Sequence, residues 1–342
     1  MKALYYIGGQ KVELRDIPMP KTQNDEYLVR IKACGVCGSD YEGFLGKTGR
    51  RIPPMIMGHE CAGVIEKGIV DGKFQPGTQV AIFPKFYCGE CETCRAGLVN
   101  LCPHAKFLGV MDCDGAMTEY CSVPERYLVP FCGSYTLAAM AEPAAVAYNA
   151  IFKIPEQMLQ EAEHILVVGA GTIGLLALLW LKYRGARHII VSDTFAYRLD
   201  LAKELGADAV INPAQEDFLE AIERLTEKKM CDISIEAVGI SVTASNSIMA
   251  LHQSGTAVWI GNAAKTVSID MQRVVTTELK IRGSYIYTRD DFDQCVRLLT
   301  EKAIDISRLI SKEIPLENGV GAFEMLQKNE FGRIIKVILT NE

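Results

Sequence analysis

Eight side chains in the first half of the chain have the types and spacing of metal ligands. Cys88, Cys91, Cys94 and Cys102 form CxxCxxCxxxxxxxC, and four thiolates this close in sequence can close a tetrahedral shell around zinc, with no position left for a substrate. Such a centre is structural. Gly89, Glu90, Glu92, Thr93, Arg95 and Gly97 make the segment a polar loop, which speaks against four unconnected core thiols. A second set is dispersed: Cys37 in CGVCGSD, His59 and Glu60 in MGHE, and Glu142 in AEPAA. A catalytic zinc takes about three protein ligands and keeps one position open, and these residues can supply a mixed sulfur, nitrogen and oxygen shell. Cys34 and Cys37 also have the spacing of a redox dithiol. The βαβ unit that accompanies such a motif lies well over a hundred residues downstream, however, and Cys34 sits in a strand-like run.

A different chemistry is written between 165 and 193. ILVVG runs into Gly169-Ala170-Gly171-Thr172-Ile173-Gly174, then a long apolar helix and a second strand, HIIVSD, that ends on Asp193 nineteen residues after Gly174. This is the pattern of a dinucleotide-binding turn. Gly169 allows the tight bend, Gly171 lets the backbone approach a pyrophosphate, and Gly174 lets helix and strand pack closely. Asp193 would accept hydrogen bonds from a ribose 2′-hydroxyl and sit against a 2′-phosphate, favouring NAD over NADP. The uncharged run 165–181 is seventeen residues with three glycines, at the short limit for a membrane span, and Lys182 and Arg184 follow it. A buried strand and helix account for it better.

The elements that must hold these residues follow from the pattern around them. Residues 1 to about 140 show short alternating runs such as YLVRIKACGV and TQVAIFP, cut by Gly, Pro, Asn and Asp, and read as mostly β. From about 160, strand and helix alternate: HILVVG, TIGLLALLWLKYRG, HIIVSD, RLDLAKELGA, DAVIN, a helix near 216–228, CDISIEAVG, a helix near 241–252 and TAVWIG. That order predicts a parallel sheet covered on both faces. After KIRGSY come helices near 290–302 and 319–328 and a terminal strand, GRIIKVILT. The 342 residues, 49% hydrophobic and 23% charged, suit two globular domains, and a net charge of -6 argues against nucleic acid as a partner. The N-terminus lacks the apolar run of a signal peptide, so a cytoplasmic protein without a membrane partner is expected. Twelve cysteines then suggest metal sites and buried thiols, not disulfides.

Taken together, GVCGSD, GHE, the cysteine loop ending in NLC, and GAGTIG with its acid resemble the zinc-containing medium-chain dehydrogenases over essentially the whole chain. The resemblance implies an α/β protein: a GroES-like, mostly β catalytic domain from 1–146 and 286–342, and a Rossmann doubly wound parallel sheet from 147–285. It implies one catalytic zinc on Cys37 and His59, completed by Glu60 or Glu142 directly or through water, and one structural zinc on the four cysteines. Asp40 matches the acid that orients the histidine ligand, and Ser39 the hydroxyl that takes the substrate proton. Arg198 would lie near the adenosine, with Ile260, Gly261, Asn262, Ser284 and Tyr285 towards the nicotinamide.

A glutamate at 142 is similar to the sorbitol, threonine and sugar-alcohol-phosphate branch; the histidine often found five residues after the ligand cysteine is here Glu42. The expected reaction is NAD-dependent oxidation of a secondary alcohol in a polyol or polyol phosphate, of the sorbitol or galactitol-1-phosphate type. Threonine or 2,3-butanediol is the competing substrate, and a non-catalytic dinucleotide-binding protein the competing class. Lys47, Arg50 and Arg51 in GKTGRRIPP form a candidate phosphate grip. A homodimer or homotetramer is expected, paired through sheet edges near TAVWIG and TVSID.

Overall fold

The computed structural model describes residues 1–329 and 332–342. The chain divides into two compact units, one comprising Met1–Glu142, Thr288–Glu330 and Lys336–Glu342, the other Pro143–Tyr287 and Phe331–Ile335.

In the first unit the alternating runs become a seven-stranded sheet ordered Leu128–Pro130, Gln79–Ile82, Glu60–Lys67, Glu26–Val36, Lys336–Thr340, Ile310–Pro315, with Tyr120–Pro124 also paired to Glu26–Val36. The long strand Glu26–Val36 alternates buried and half-buried residues and then stays buried through Ala33–Val36, where it delivers the chain to Cys37. The C-terminal strand lies antiparallel beside it, with Val337 opposite Val36. It starts at Lys336; the residues before it, from Gly332 to Ile335, belong to the other unit. The helix Arg289–Thr300 begins with Thr288 and Asp291 capping each other's backbone N–H groups, and sets Phe292 edge-on against Phe83 at 5.5 Å.

In the second unit six parallel strands run in the order Ala209–Ile211, His188–Ser192, His164–Val168, Cys231–Glu236, Leu251–Trp259, Lys280–Gly283. Numbered within the sheet this is 3-2-1-4-5-6, the doubly wound order of dinucleotide-binding domains. His164–Val168 is buried at every position, as a strand covered on both faces must be. The helix Thr172–Tyr183 buries Leu175 to Leu181 without a break, and its Trp180, fully buried, donates its indole N–H to the Ala144 carbonyl at 3.0 Å. The expected strand TVSID does not form. Asp270 instead caps the helix Met271–Thr276 by accepting the Arg273 N–H, and the sheet edge is Lys280–Gly283. Among the described residues no helix is long and apolar enough to cross a membrane.

Trp180→Ala should therefore cost about 3–5 kcal/mol, the range for emptying a large aromatic site. Urea unfolding followed by far-ultraviolet circular dichroism reads this directly, and a loss below about 1 kcal/mol would contradict the packing described.

Candidate active site and cofactor site

Cys37 follows the long strand and is the N-cap of the short helix Gly38–Phe44. Its backbone N–H donates to Asp40 Oδ2 at 3.2 Å, and Ser39 Oγ donates towards Cys37 Sγ at 3.4 Å. His59 and Glu60 arrive from the start of the neighbouring strand Glu60–Lys67, whose Glu60 pairs with Gly35. Ligand atoms of Cys37, His59 and Glu60 then lie within 4.8 Å of one another. Residues separated by more than twenty positions meet because two antiparallel strands share a register.

The surroundings are charged and dry. Asp40 is fully buried; burial alone would raise its carboxyl, but His59, Arg51 and the hydrogen bonds from Arg51 and the Cys37 backbone hold it below the ordinary value. His59 Nδ1 is buried without a hydrogen-bond partner and faces Asp40 Oδ1 at 3.6 Å, leaving Nε2 for another partner. Burial, together with the charges of Glu60, Asp40 and Glu142, pushes the Cys37 thiol up to about 12. A cation beside it is what would make this sulfur a thiolate. An orphaned imidazole nitrogen aimed at a carboxylate, with three converging donors of mixed type, fits a zinc site with an open position.

Glu142, buried in the first turn of the helix Ala141–Phe152, is outside the three-donor set. Glu60 is inside it, yet both its oxygens accept hydrogen bonds from Lys336 Nζ, at 2.6 and 2.7 Å. Lys336 is itself buried; burial would lower its pKa, but Glu60 and Cys37 raise it above the ordinary value. No sequence signal pointed to this lysine, because its partner lies 276 residues away.

The four-cysteine loop is more regular. Sγ–Sγ separations are 3.6 Å for Cys88–Cys102, 3.8 Å for Cys91–Cys102 and 3.9 Å for Cys88–Cys94. A tetrahedron with zinc–sulfur bonds of about 2.3 Å has edges of about 3.8 Å, so the loop already has the dimensions of the ion. The Thr93 hydroxyl and the Cys94 N–H bring the Cys91 thiol down to about 6, whereas burial pushes Cys94 up to about 12. None of the twelve cysteines is in a disulfide, and Cys34 is a buried thiol that burial drives well above its usual value.

One other expectation changes. Arg51 does not join Lys47 and Arg50 in an exposed grip: its side chain is only 2% exposed and is bonded to Asp40 and Ser39. Glu42 is half-buried; burial raises its carboxyl, while Lys47 and Arg50 act against that shift.

In the second unit the expected cofactor residues gather where the parallel strands end. Gly169 follows Val168, Asp193 follows Ser192, Ile260 to Asn262 follow Trp259, and Ser284 and Tyr285 follow Gly283. This edge is where open α/β sheets bind ligands. A Cβ on Gly174 would lie 1.7 Å from the Gly169 carbonyl oxygen, so the helix can start this close to the turn only with glycine there. Asp193 accepts the Ala170 N–H at 2.7 Å and the Phe195 N–H at 2.9 Å, fixing the turn, and Arg198 stands 3.7 Å away over the Phe195 ring. Thr172 gives its hydroxyl to the Ile335 carbonyl, and Ser284 Oγ accepts from Asn149. Buried Glu236, missed in the sequence, accepts the Val238 and Gly239 N–H groups and shapes the adjoining loop.

Residues 23–156 match the alcohol dehydrogenase GroES-like domain and residues 172–301 the zinc-binding dehydrogenase domain. The chain is 30% identical to a sorbitol dehydrogenase of Bacillus subtilis strain 168 over 95% of its length and 93% of the relative's. It is 32% identical to a D-arabitol-phosphate dehydrogenase of Enterococcus avium, over 97% and 94%. The crystal structure of galactitol-1-phosphate dehydrogenase from Escherichia coli superposes with a TM-score of 0.90 at 25% identity, covering all of both chains. The chain therefore belongs to the zinc-containing medium-chain dehydrogenase family and is an enzyme of the alcohol dehydrogenase type.

If both donor sets hold zinc, elemental analysis of desalted protein should give two ions per chain, and one in either Cys102→Ser or His59→Ala. Only the first substitution should also lower the melting temperature substantially. Two ions persisting in either variant would remove the corresponding site.

Proposed function

We propose that the protein oxidises a secondary alcohol of a polyol or polyol phosphate to the ketone, with one catalytic zinc, one structural zinc and NAD. The observation that carries this is the convergence of Cys37, His59 and Glu60 beside Ser39 and Asp40. Cys37 and His59 would hold the metal, with Glu60 or Glu142 as the third donor. Zinc there supplies Lewis acidity, which makes an alcohol hydroxyl easier to deprotonate, and NAD supplies the hydride acceptor. The residues do the rest. Ser39 Oγ would accept the alcohol proton as its own hydroxyl proton leaves, Asp40 holds the His59 ring, and Glu42 or water leads the released proton out. The first unit thus provides the metal chemistry and the second the dinucleotide site.

In the second unit the N–H groups at the start of the helix Thr172–Tyr183 receive the pyrophosphate. Asp193 receives the adenosine ribose hydroxyls, since two backbone N–H groups leave lone pairs on its carboxylate unused. Arg198 borders the adenosine, and Ile260, Gly261, Asn262, Ser284 and Tyr285 border the nicotinamide. For a phosphorylated substrate Lys47 and Arg50 remain as candidate contacts. The exposed strand Lys280–Gly283 offers an edge for pairing subunits in a homodimer or homotetramer.

A 2′-phosphate about 4 Å from Asp193 would cost about 4 kcal/mol per like-charge pair at an effective dielectric of about 20, less whatever Arg198 returns. Asp193→Ser should accordingly narrow the NAD-to-NADP ratio of kcat/KM by roughly one to two orders of magnitude; an unchanged ratio counts against the assignment. Substrate class is read by following NADH absorbance with free polyols, their phosphates, threonine and 2,3-butanediol. Turnover confined to the amino acid or the diol would displace the polyol proposal.

A further inference from the structure

Arg51 is a charged side chain 2% exposed, on a loop whose neighbours Arg50 and Ile52 face solvent. It is held there at both ends. Its backbone is pinned by a bridge to Met111, whose N–H donates to the Arg50 carbonyl at 2.9 Å. Its stem passes over Gly43, where a Cβ would lie 2.2 Å from Arg51 Cγ. A buried guanidinium is costly unless its N–H groups are used, and here Nε and Nη2 are used. Nε and Nη2 donate to Asp40 Oδ1 at 3.1 and 2.7 Å, and Nη2 also donates to Ser39 Oγ at 3.0 Å.

Those two acceptors are the groups that touch the proposed ligands. Asp40 takes the Cys37 N–H and faces His59 Nδ1 at 3.6 Å, while Ser39 Oγ lies 3.4 Å from Cys37 Sγ. Because Arg51 donates to the Ser39 oxygen, the Ser39 proton is left to point at the cysteine sulfur. We infer that Arg51 is a positioning residue for the catalytic centre: one guanidinium fork fixes the Ser39 hydroxyl and the Asp40 carboxylate, and through them the orientation of Cys37 and His59. The inference rests on Cys37 and His59 being metal ligands. It assigns to the fork a job that a lysine's single point charge cannot do, because Asp40 and Ser39 must be held at once and in a fixed relation.

The test uses the full chain loaded with cobalt(II) in place of zinc, comparing the parent with Arg51→Met and Arg51→Lys. Two readouts are taken: the visible bands of the cobalt–thiolate centre, and the rate at which a chelator removes the more labile ion. Loss of an outer hydrogen-bonding partner typically weakens metal holding about 10- to 100-fold. Arg51→Met should therefore shift the bands and release the labile ion faster by about that factor, with the four-cysteine ion unaffected. Arg51→Lys should fall between, and millimolar guanidinium should restore the parental bands in Arg51→Ala. Should Arg51→Met fail to fold, Arg51→Lys, which keeps the buried charge, decides. Parental bands and release rates in the variants would overturn the inference alone. A parent that takes up cobalt only at the four cysteines would overturn the reading of Cys37 and His59, and this inference with it.

Discussion

Charge that has been taken out of water must be balanced locally, and the first unit is arranged around that requirement. Asp40, Glu60 and Glu142 are all buried, and so are three cations, Arg51, Lys336 and, beside the four-cysteine loop, Lys85. Charges a few ångströms apart in a dry site interact by several kcal/mol even at an effective dielectric of about 20. The high pKa of the Cys37 thiol comes first from its burial and then from the negative charges of Glu60, Asp40 and Glu142 around it, with Lys336 acting against them.

The four-cysteine loop solves a different problem. Its sulfurs are spaced about as a zinc tetrahedron requires, and every donor is of one kind. A shell completed by the protein has no room for a reactant, so such a loop can only hold its own fold. At Cys37, His59 and Glu60 the donors differ, and the carboxylate is already bound to Lys336. A ligand with a competing partner is one that can change its distance from a metal without being left unpaired. Under the proposed function, that separates a centre that would work from a centre that would only hold.

How much of this was legible in the sequence depended on how far apart the interacting residues lie. The cysteine loop and the glycine turn were readable because their parts are within a few residues and the backbone fixes their geometry. The parallel sheet was readable because alternation of strand and helix admits few arrangements. Arg51 was misjudged for the opposite reason. On a polar loop beside two other cations it looks like a surface residue; only the gap over Gly43 and the acceptors on the helix Gly38–Phe44 turn it inward. Lys336 and Glu236 were invisible because a lone lysine or glutamate in an apolar strand carries no local sign of its partner. TVSID has the composition of a strand but ends on an aspartate that serves a helix better.

Asp193 shows how a residue singled out by its motif can also hold the local structure. Its two oxygens accept the N–H groups of Ala170 and Phe195, so the carboxylate ties the glycine turn to the end of the neighbouring strand before any nucleotide arrives. Under the proposed function, a substitution there would disturb two things, the reading of the ribose and the shape of the turn proposed to receive the pyrophosphate. They separate kinetically. A distorted turn weakens NAD and NADP alike, whereas the loss of a negative charge beside the ribose favours NADP alone. The ratio of the two cofactors therefore reports the electrostatic role of Asp193, and the common loss in both reports its structural one.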